Sequence, residues 1–136
     1  ISYMSFVMAD FYKRFVDEEL DSEGRLKSFK LDLPENFNFS YDVIDELAKN
    51  VPDKVAMQWV NEEGEEHIFT YKDLSEKSSQ VANMMLAHGV KKGDFVMAVL
   101  KRHYEFWFLA YGLMKIGAIL VPATCQLKKK RLCLPL

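Results

Sequence analysis

The sequence predicts an α/β fold, and three observations carry that expectation. Phe95-Val-Met-Ala-Val-Leu100 is apolar throughout, as befits a strand covered on both faces in a parallel sheet. Phe106, Trp107, Leu109, Ala110, Leu113 and Met114 then recur at helical spacing and stop at Gly117. Ile119-Leu-Val121 is apolar again and is halted by Pro122. Strand, helix and strand over residues 95–122 match a right-handed βαβ unit. Two parallel strands need neighbours to cover their edges, and too little chain remains to supply them, so the expected domain is a partial one.

The earlier elements follow in order. Phe11, Phe15, Val16 and Leu20 recur at helical spacing and predict a first helix, which Gly24 ends. Residues 29–38, with Pro34, show neither period and predict an extended arm packed by Phe37 and Phe39. A second helix is expected from about Asp42 to Lys49. Val43, Ile44, Leu47 and Ala48 form its apolar stripe, Asp42 caps it, and Pro52 forbids continuation. Val55 to Val60 and His67 to Tyr71 are rich in β-branched and aromatic residues. The polar, glycine-containing Asn61-Glu-Glu-Gly64-Glu-Glu66 between them makes the pair a β-hairpin. Thr70 and Asp73 have capping-box spacing ahead of a long helix faced by Leu74, Val81, Ala82, Met85 and Leu86 and closed at Gly89.

Composition narrows the function. The 136 residues are 49% hydrophobic and 28% charged, which fits an ordinary globular domain and excludes collagenous, disulfide-rich and low-complexity chains. Eighteen basic against 20 acidic side chains give a formal charge of -2, so there is no electrostatic case for nucleic acid. No apolar run approaches the roughly 20 residues that cross a bilayer. The first nine residues lack a basic start, and Asp10, Asp17, Glu18 and Glu19 follow, which argues against a signal or transit peptide. Cys125 and Cys133 do not form a secreted disulfide framework, and the expected setting is reducing and cytoplasmic. The chain begins with Ile1, which suggests a natural start at Met4.

Few residues suggest chemistry. His67, His88 and His103 never stand three or four apart or beside a cysteine, so no metal site is expected. No base or helix terminus is visible that would activate either thiol. The six glycines form neither a dinucleotide fingerprint nor a Walker loop, and no nucleophile elbow occurs. Lys128-Lys-Lys-Arg131 lacks interleaved aromatic residues and is read as a solvated tail. Lys101, Arg102 and His103 are more informative. They lie at the carboxyl end of the apolar strand, where open α/β sheets place ligands, and they suit an anion, with an ordinary polar loop as the competing reading.

Several motifs then point one way. Phe69-Thr-Tyr-Lys-Asp-Leu74 resembles the first core motif of the AMP-forming acyl-CoA synthetases, within the adenylate-forming ligase superfamily. Leu113-Met-Lys-Ile-Gly-Ala-Ile-Leu-Val-Pro-Ala-Thr124 resembles the second core motif. Between them, His88-Gly-Val-Lys-Lys-Gly-Asp94 is similar to the turn that precedes the family's buried strand. Asn38-Phe-Ser-Tyr-Asp-Val43 and Pro52-Asp-Lys-Val-Ala56 fall in the expected order. Arg102-His-Tyr-Glu-Phe-Trp107 and Pro122-Ala-Thr-Cys-Gln-Leu127 look most like the branch that activates acetate to medium-chain carboxylic acids.

The resemblance implies an N-terminal fragment of the adenylate-forming ligase fold. Residues 1–35 are an N-terminal helix and arm, 36–127 the start of the large AMP-binding domain, and 128–136 an aberrant tail, read as a frameshift or an incomplete gene. It implies a ligation in which a carboxylate attacks the α-phosphate of ATP and coenzyme A then displaces AMP. The groups that stabilise the developing charge, including Mg2+, belong to motifs beyond residue 136. The chain is therefore expected to be inactive alone and to bind no cofactor tightly. No catalytic residue and no metal ligand is assigned, and Lys101 and Arg102 are the expected contacts to a coenzyme A phosphate. Tyr71, Leu74, Gly117 and Pro122 are expected to be scaffold. The competing expectation is a non-enzymatic module that docks on a full-length partner.

Overall fold

The computed structural model describes residues 11–124. Contacts divide the chain between Phe37 and Asn38, and the two parts are taken in turn.

In the first part a single 3-10 turn, Phe11–Arg14, leads into an antiparallel hairpin of β1 (Val16–Leu20) and β2 (Leu26–Leu31). The helix expected here does not form. Val16, Glu18 and Leu20 also repeat every second residue, and the turn decides between the two periods. The Asp21 carboxylate accepts from the backbone N–H groups of Glu23 and Arg25, at 2.8 and 2.9 Å. Gly24 takes the left-handed φ of 76° that closes the loop, so it serves a hairpin and not a helix end. The register then sets Asp17 opposite Lys30, and Lys27 pairs with Glu19 across the strands at 3.1 Å. The expected arm is also corrected in part, since Phe29 lies within β2. Phe37 packs edge-on against Phe15 at 5.2 Å.

The second part starts with a π-helical turn, Ser40–Asp45, that runs into α1 (Glu46–Asn50). Asp42 sits inside this turn and accepts from the Asn38 N–H at 2.6 Å, while the Asn38 side chain accepts from the Ser40 N–H at 3.0 Å. The start is thus earlier than the sequence suggests, because Asn38 supplies a turn of its own. The expected hairpin is present as β3 (Val55–Val60) and β4 (Glu66–Thr70). Then comes α2 (Tyr71–Ala87), opened by a full capping box. Thr70 Oγ1 accepts from Asp73 N at 3.2 Å, and the Asp73 carboxylate accepts from Thr70 N at 2.8 Å. After the Gly89 and Gly93 turns, β5 (Phe95–Ala98), α3 (Glu105–Ile116) and β6 (Ile119–Pro122) complete the βαβ unit, with β5 and β6 parallel. Gly117 ends α3 at φ 70°, as expected.

The core is built where β3–β4, the π-helical turn and α3 meet α2. Ile44, Phe69, Leu74 and Phe108 form its buried centre, and Leu113 is fully enclosed. Each such side chain contributes about 1.5–3 kcal/mol by leaving water. The buried face of α2 is Leu74, Ser78 and Ala82, whereas Leu86 is exposed. Ser78 tolerates burial because its hydroxyl donates to Ser75 O within the same helix, at 3.0 Å. In α3 the exposed Trp107 and Met114 give up their expected core places to Phe108 and Lys115.

Two features make the α2–α3 contact close. A Cβ on Gly112 would lie 2.8 Å from Val81 Cγ1 and 2.9 Å from Ser78 O, so only glycine lets the helices approach this far. The Lys115 ammonium, nearly sealed from solvent, meets Asp45 Oδ1 and Ser79 Oγ at 2.8 Å each and Ser75 O at 3.2 Å. Burial of the charge is tolerated because all three donor positions are used.

One expectation about β5 is corrected. The described residues cover only one face of the β5–β6 pair. Ala98 is buried, while Phe95 is 75% exposed and Met97 55%. An apolar strand reports the surroundings it suits, and this chain's described residues supply half of them.

Candidate functional site

The carboxyl end of β5 opens onto a loop, residues 99–104, that leads into α3. Lys101, Arg102 and His103 all lie on it and all are exposed. The loop turns tightly, with the His103 N–H donating to Lys101 O at 2.8 Å. It is tied to the β3–β4 hairpin by one long-range bond, in which Trp59 Nε1–H donates to Arg102 O at 2.6 Å. Two strands and a helix end thereby fix where the basic side chains start.

Between the loop and the hairpin runs an open groove of about 410 Å³. It is lined by Lys101 and Arg102 from the loop, Gln58 and Trp59 from β3, and Trp107 from α3. The Tyr104 ring contacts Trp59 at 5.4 Å, His67 at 4.9 Å and Phe69 at 5.0 Å between centroids. Among the described residues no ion pair engages Lys101 or Arg102. Glu66 on β4 accepts from the side-chain amide of Gln58. The groove therefore presents two uncompensated cations beside flat apolar rings, which suits an anion attached to a planar or apolar group.

The other sequence candidates stay apart from it. His88 caps the end of α2, its Nδ1 2.8 Å from Met84 O. His67 packs its ring against Tyr104, and His103 lines the groove. Among the described residues no three His, Cys, Asp or Glu side chains stand together as a metal site. Cys125, Cys133 and the Lys128–Arg131 run lie outside the described residues. Tyr71 and Leu74 pack in or against the core, in line with a scaffold role. Burial pushes the Tyr111 hydroxyl above the ordinary tyrosine range and the neighbouring Tyr71 adds to the shift, but neither faces the groove. A second concavity, near 550 Å³, lies on the first hairpin. Lys13 and Arg14 there face Asp17, Glu18 and Asp32, so its charges largely cancel.

Trp59 and Trp107 are the parts of the site that sequence reasoning missed. Trp59 stands 43 residues from the carbonyl it holds, and no local pattern signals that bond. Trp107 could have been found from its position alone, since it follows the basic loop within one helical turn.

Known proteins agree with this architecture. A family model described as AMP-binding enzyme matches residues 44–136, more than half of the chain. The chain is 35% identical over 114 residues to the human mitochondrial acyl-coenzyme A synthetase ACSM3, covering 79% of this chain and 20% of that protein. It is 38% identical over 104 residues to human mitochondrial ACSM2A, covering 71% and 18%. Among solved structures, a fatty acid AMP ligase from Legionella pneumophila superposes with a TM-score of 0.63 at 26% identity, over 68% of this chain and 16% of that one. The N-terminal subdomain of Klebsiella oxytoca NpsA superposes with a TM-score of 0.59 at 30% identity, over 67% and 23%. The chain spans about a fifth of the length of the curated relatives it matches. With the capping-box helix and the βαβ unit in the family's order, it belongs to the AMP-binding enzyme family.

Proposed function

We propose that this chain serves an AMP-forming acyl-CoA synthetase. In the whole reaction a carboxylate oxygen attacks the α-phosphorus of ATP, pyrophosphate leaves, and the thiol of coenzyme A displaces AMP to give the thioester. The names of the acyl-coenzyme A synthetase relatives support this reading. Residues 36–127 are read as the start of the AMP-binding domain, with 1–35 preceding it. The described residues do not fit ATP phosphates or Mg2+: they contain no clustered carboxylates and no glycine-rich phosphate loop. No chemical step is assigned to them. Their contribution is the scaffold and the basic loop, where Lys101 and Arg102 meet a phosphate of coenzyme A. The observation that carries this assignment is their uncompensated charge at the end of β5.

The test is AMP release by the purified chain with ATP, coenzyme A and a panel of short to medium carboxylates. The expected outcome is no turnover alone and turnover once the remaining portion of a relative is supplied. Turnover by the chain alone would place the chemistry within these residues and overturn the reading.

A second reading, a non-enzymatic module docked on a full-length partner, is favoured by the bare face of β5 at Phe95 and Met97. A stable monomer with cooperative unfolding is its expected signature in size exclusion and denaturation. No helix among the described residues is long and apolar enough to cross a membrane. The compartment is proposed as cytoplasmic, whereas the named relatives are mitochondrial, and imaging of the tagged protein in its own cells decides between them.

A further inference from the structure

We infer that residues 38–45 are a clasp on the end of α3, a conformational device that holds the helix exit and, through it, β6. Side chains of this short segment bond to partners 70–76 residues along the chain. Asn38 Nδ2–H donates to Met114 O at 2.7 Å, and Ser40 Oγ–H donates to Tyr111 O at 2.9 Å. The Asp45 carboxylate accepts from the Lys115 ammonium at 2.8 Å. All these partners fall within residues 111–115, close to the end of α3. Met114 O is among the last four carbonyls of that helix, which a helix leaves without a regular partner of its own. The distant Asn38 amide caps it alongside the Gly117 N–H.

The segment is shaped for this contact. Asn38 uses both ends of its amide, since its oxygen accepts from the Ser40 N–H at 3.0 Å. Ser40, fully buried, and Asp45 stand at the two ends of the π-helical turn. At that spacing an α-helix would point them about 140° apart around its axis. The wider turn, closed by i→i+5 bonds, brings them back toward one side, and both meet α3. Two rings add to the grip. Phe39 stacks on Tyr111 at 6.1 Å, and the Tyr41 ring lies 5.6 Å from the Lys115 ammonium.

Chain order decides what the clasp controls. Gly117 follows α3 directly, and its carbonyl accepts from the Gly93 N–H at 2.9 Å. Two residues on, the Ile119 N–H donates to Asp94 O at 2.8 Å and opens the pairing of β6 with β5. A displaced end of α3 therefore carries β6 with it. Loss of the clasp should open this region locally and leave the β3–β4 hairpin as protected as before.

The experiment is amide hydrogen exchange on the whole chain, read by mass spectrometry, for the parent and for Asn38→Ala with Ser40→Ala. Ile44 and Leu47 still anchor the segment in this variant, so circular dichroism should match the parent. Exchange over residues 111–122 should rise roughly tenfold, with the rise in β3–β4 at most about twofold. Asn38→Asp is the milder variant and stands in if the double variant does not fold. It keeps the oxygen that the Ser40 N–H needs and loses the donor to Met114 O, so a rise of about threefold over the same residues is expected. Unchanged exchange over 111–122 in either variant overturns the clasp. An equal rise in 111–122 and β3–β4 also overturns it, because the bonds would then serve overall stability and not the exit of α3.

Discussion

The two antiparallel hairpins of this chain are alike in strand length and unlike in everything that anchors them. In β1–β2 every residue of the second strand is exposed, and Phe29 keeps 61% of its surface in water. What holds the hairpin is local, namely the Asp21 turn and surface pairs such as Lys27 with Glu19 at 3.1 Å. Such pairs contribute about 0.2–1 kcal/mol each. In β3–β4, by contrast, Phe69 is only 9% exposed and its ring meets Phe108 at 5.2 Å. The same strand hands directly into the capping box of α2. The difference teaches that a turn is enough to make a hairpin, while packing decides whether the rest of the fold depends on it.

The largest expected effect breaks the anchored hairpin. Phe69→Ala should cost about 3–5 kcal/mol in urea unfolding, because it leaves a cavity against Phe108 and Tyr104. A cost under about 1 kcal/mol would show that β3–β4 is no better anchored than β1–β2. Next is the helical layer on which β4 rests. Gly112→Ala should destabilise by about 1–3 kcal/mol, since the new methyl meets both Val81 and the Ser78 carbonyl oxygen. An unchanged urea midpoint would mean that the helices separate at no cost.

The cap comes third. Thr70→Ala should cost about 1 kcal/mol in the same assay. Its pH dependence gives a finer test. Bonds from the Thr70 N–H and hydroxyl hold the Asp73 carboxyl below its ordinary value. A carboxylate with a depressed folded pKa stabilises the fold above the unfolded value, near pH 4, and that stability is lost as pH falls through the folded value. Melting temperature measured from pH 6 to pH 3 should therefore drop below about pH 4. Asp73→Asn should flatten that drop, and a variant as acid-sensitive as the parent would rule out the cap as its source.

Of the same order is Trp59→Phe. It keeps the ring on Tyr104 and removes one hydrogen bond to an accessible carbonyl, worth about 0.5–1.5 kcal/mol. Hydrogen exchange in residues 101–104 should rise more than in β3, and equal protection in Trp59→Phe and the parent would deny the tether. At the bottom of the scale, Phe29→Ala in the bare hairpin should fall within about 0.5 kcal/mol of the parent.

Legibility in the sequence followed the same division between local and distant causes. The capping box at Thr70 and Asp73, the glycine turn after α2 and the βαβ order were all readable, because each rests on residues a few positions apart. The first hairpin was not. Phe11, Phe15 and Leu20 fit a helical period while Val16, Glu18 and Leu20 fit an extended one, and the Asp21 turn broke the tie. The basic loop was readable from its place after an apolar strand, but the groove was not, since one wall comes from Gln58 and Trp59 in a separate element.

The sequence by itself determined the element order of the second part, the two motifs that resemble the acyl-CoA synthetases, and the cations at the end of β5. Only the tertiary structure decided that Gly112 is a helix crossing, that Lys115 is buried on Asp45, and that Trp107 faces outward beside Arg102. The physical reason is range. Turns, caps and periodicity are settled by hydrogen bonds within one or two helical turns of the chain, whereas a close approach, a buried charge or an exposed ring is settled by whichever distant surface arrives opposite it.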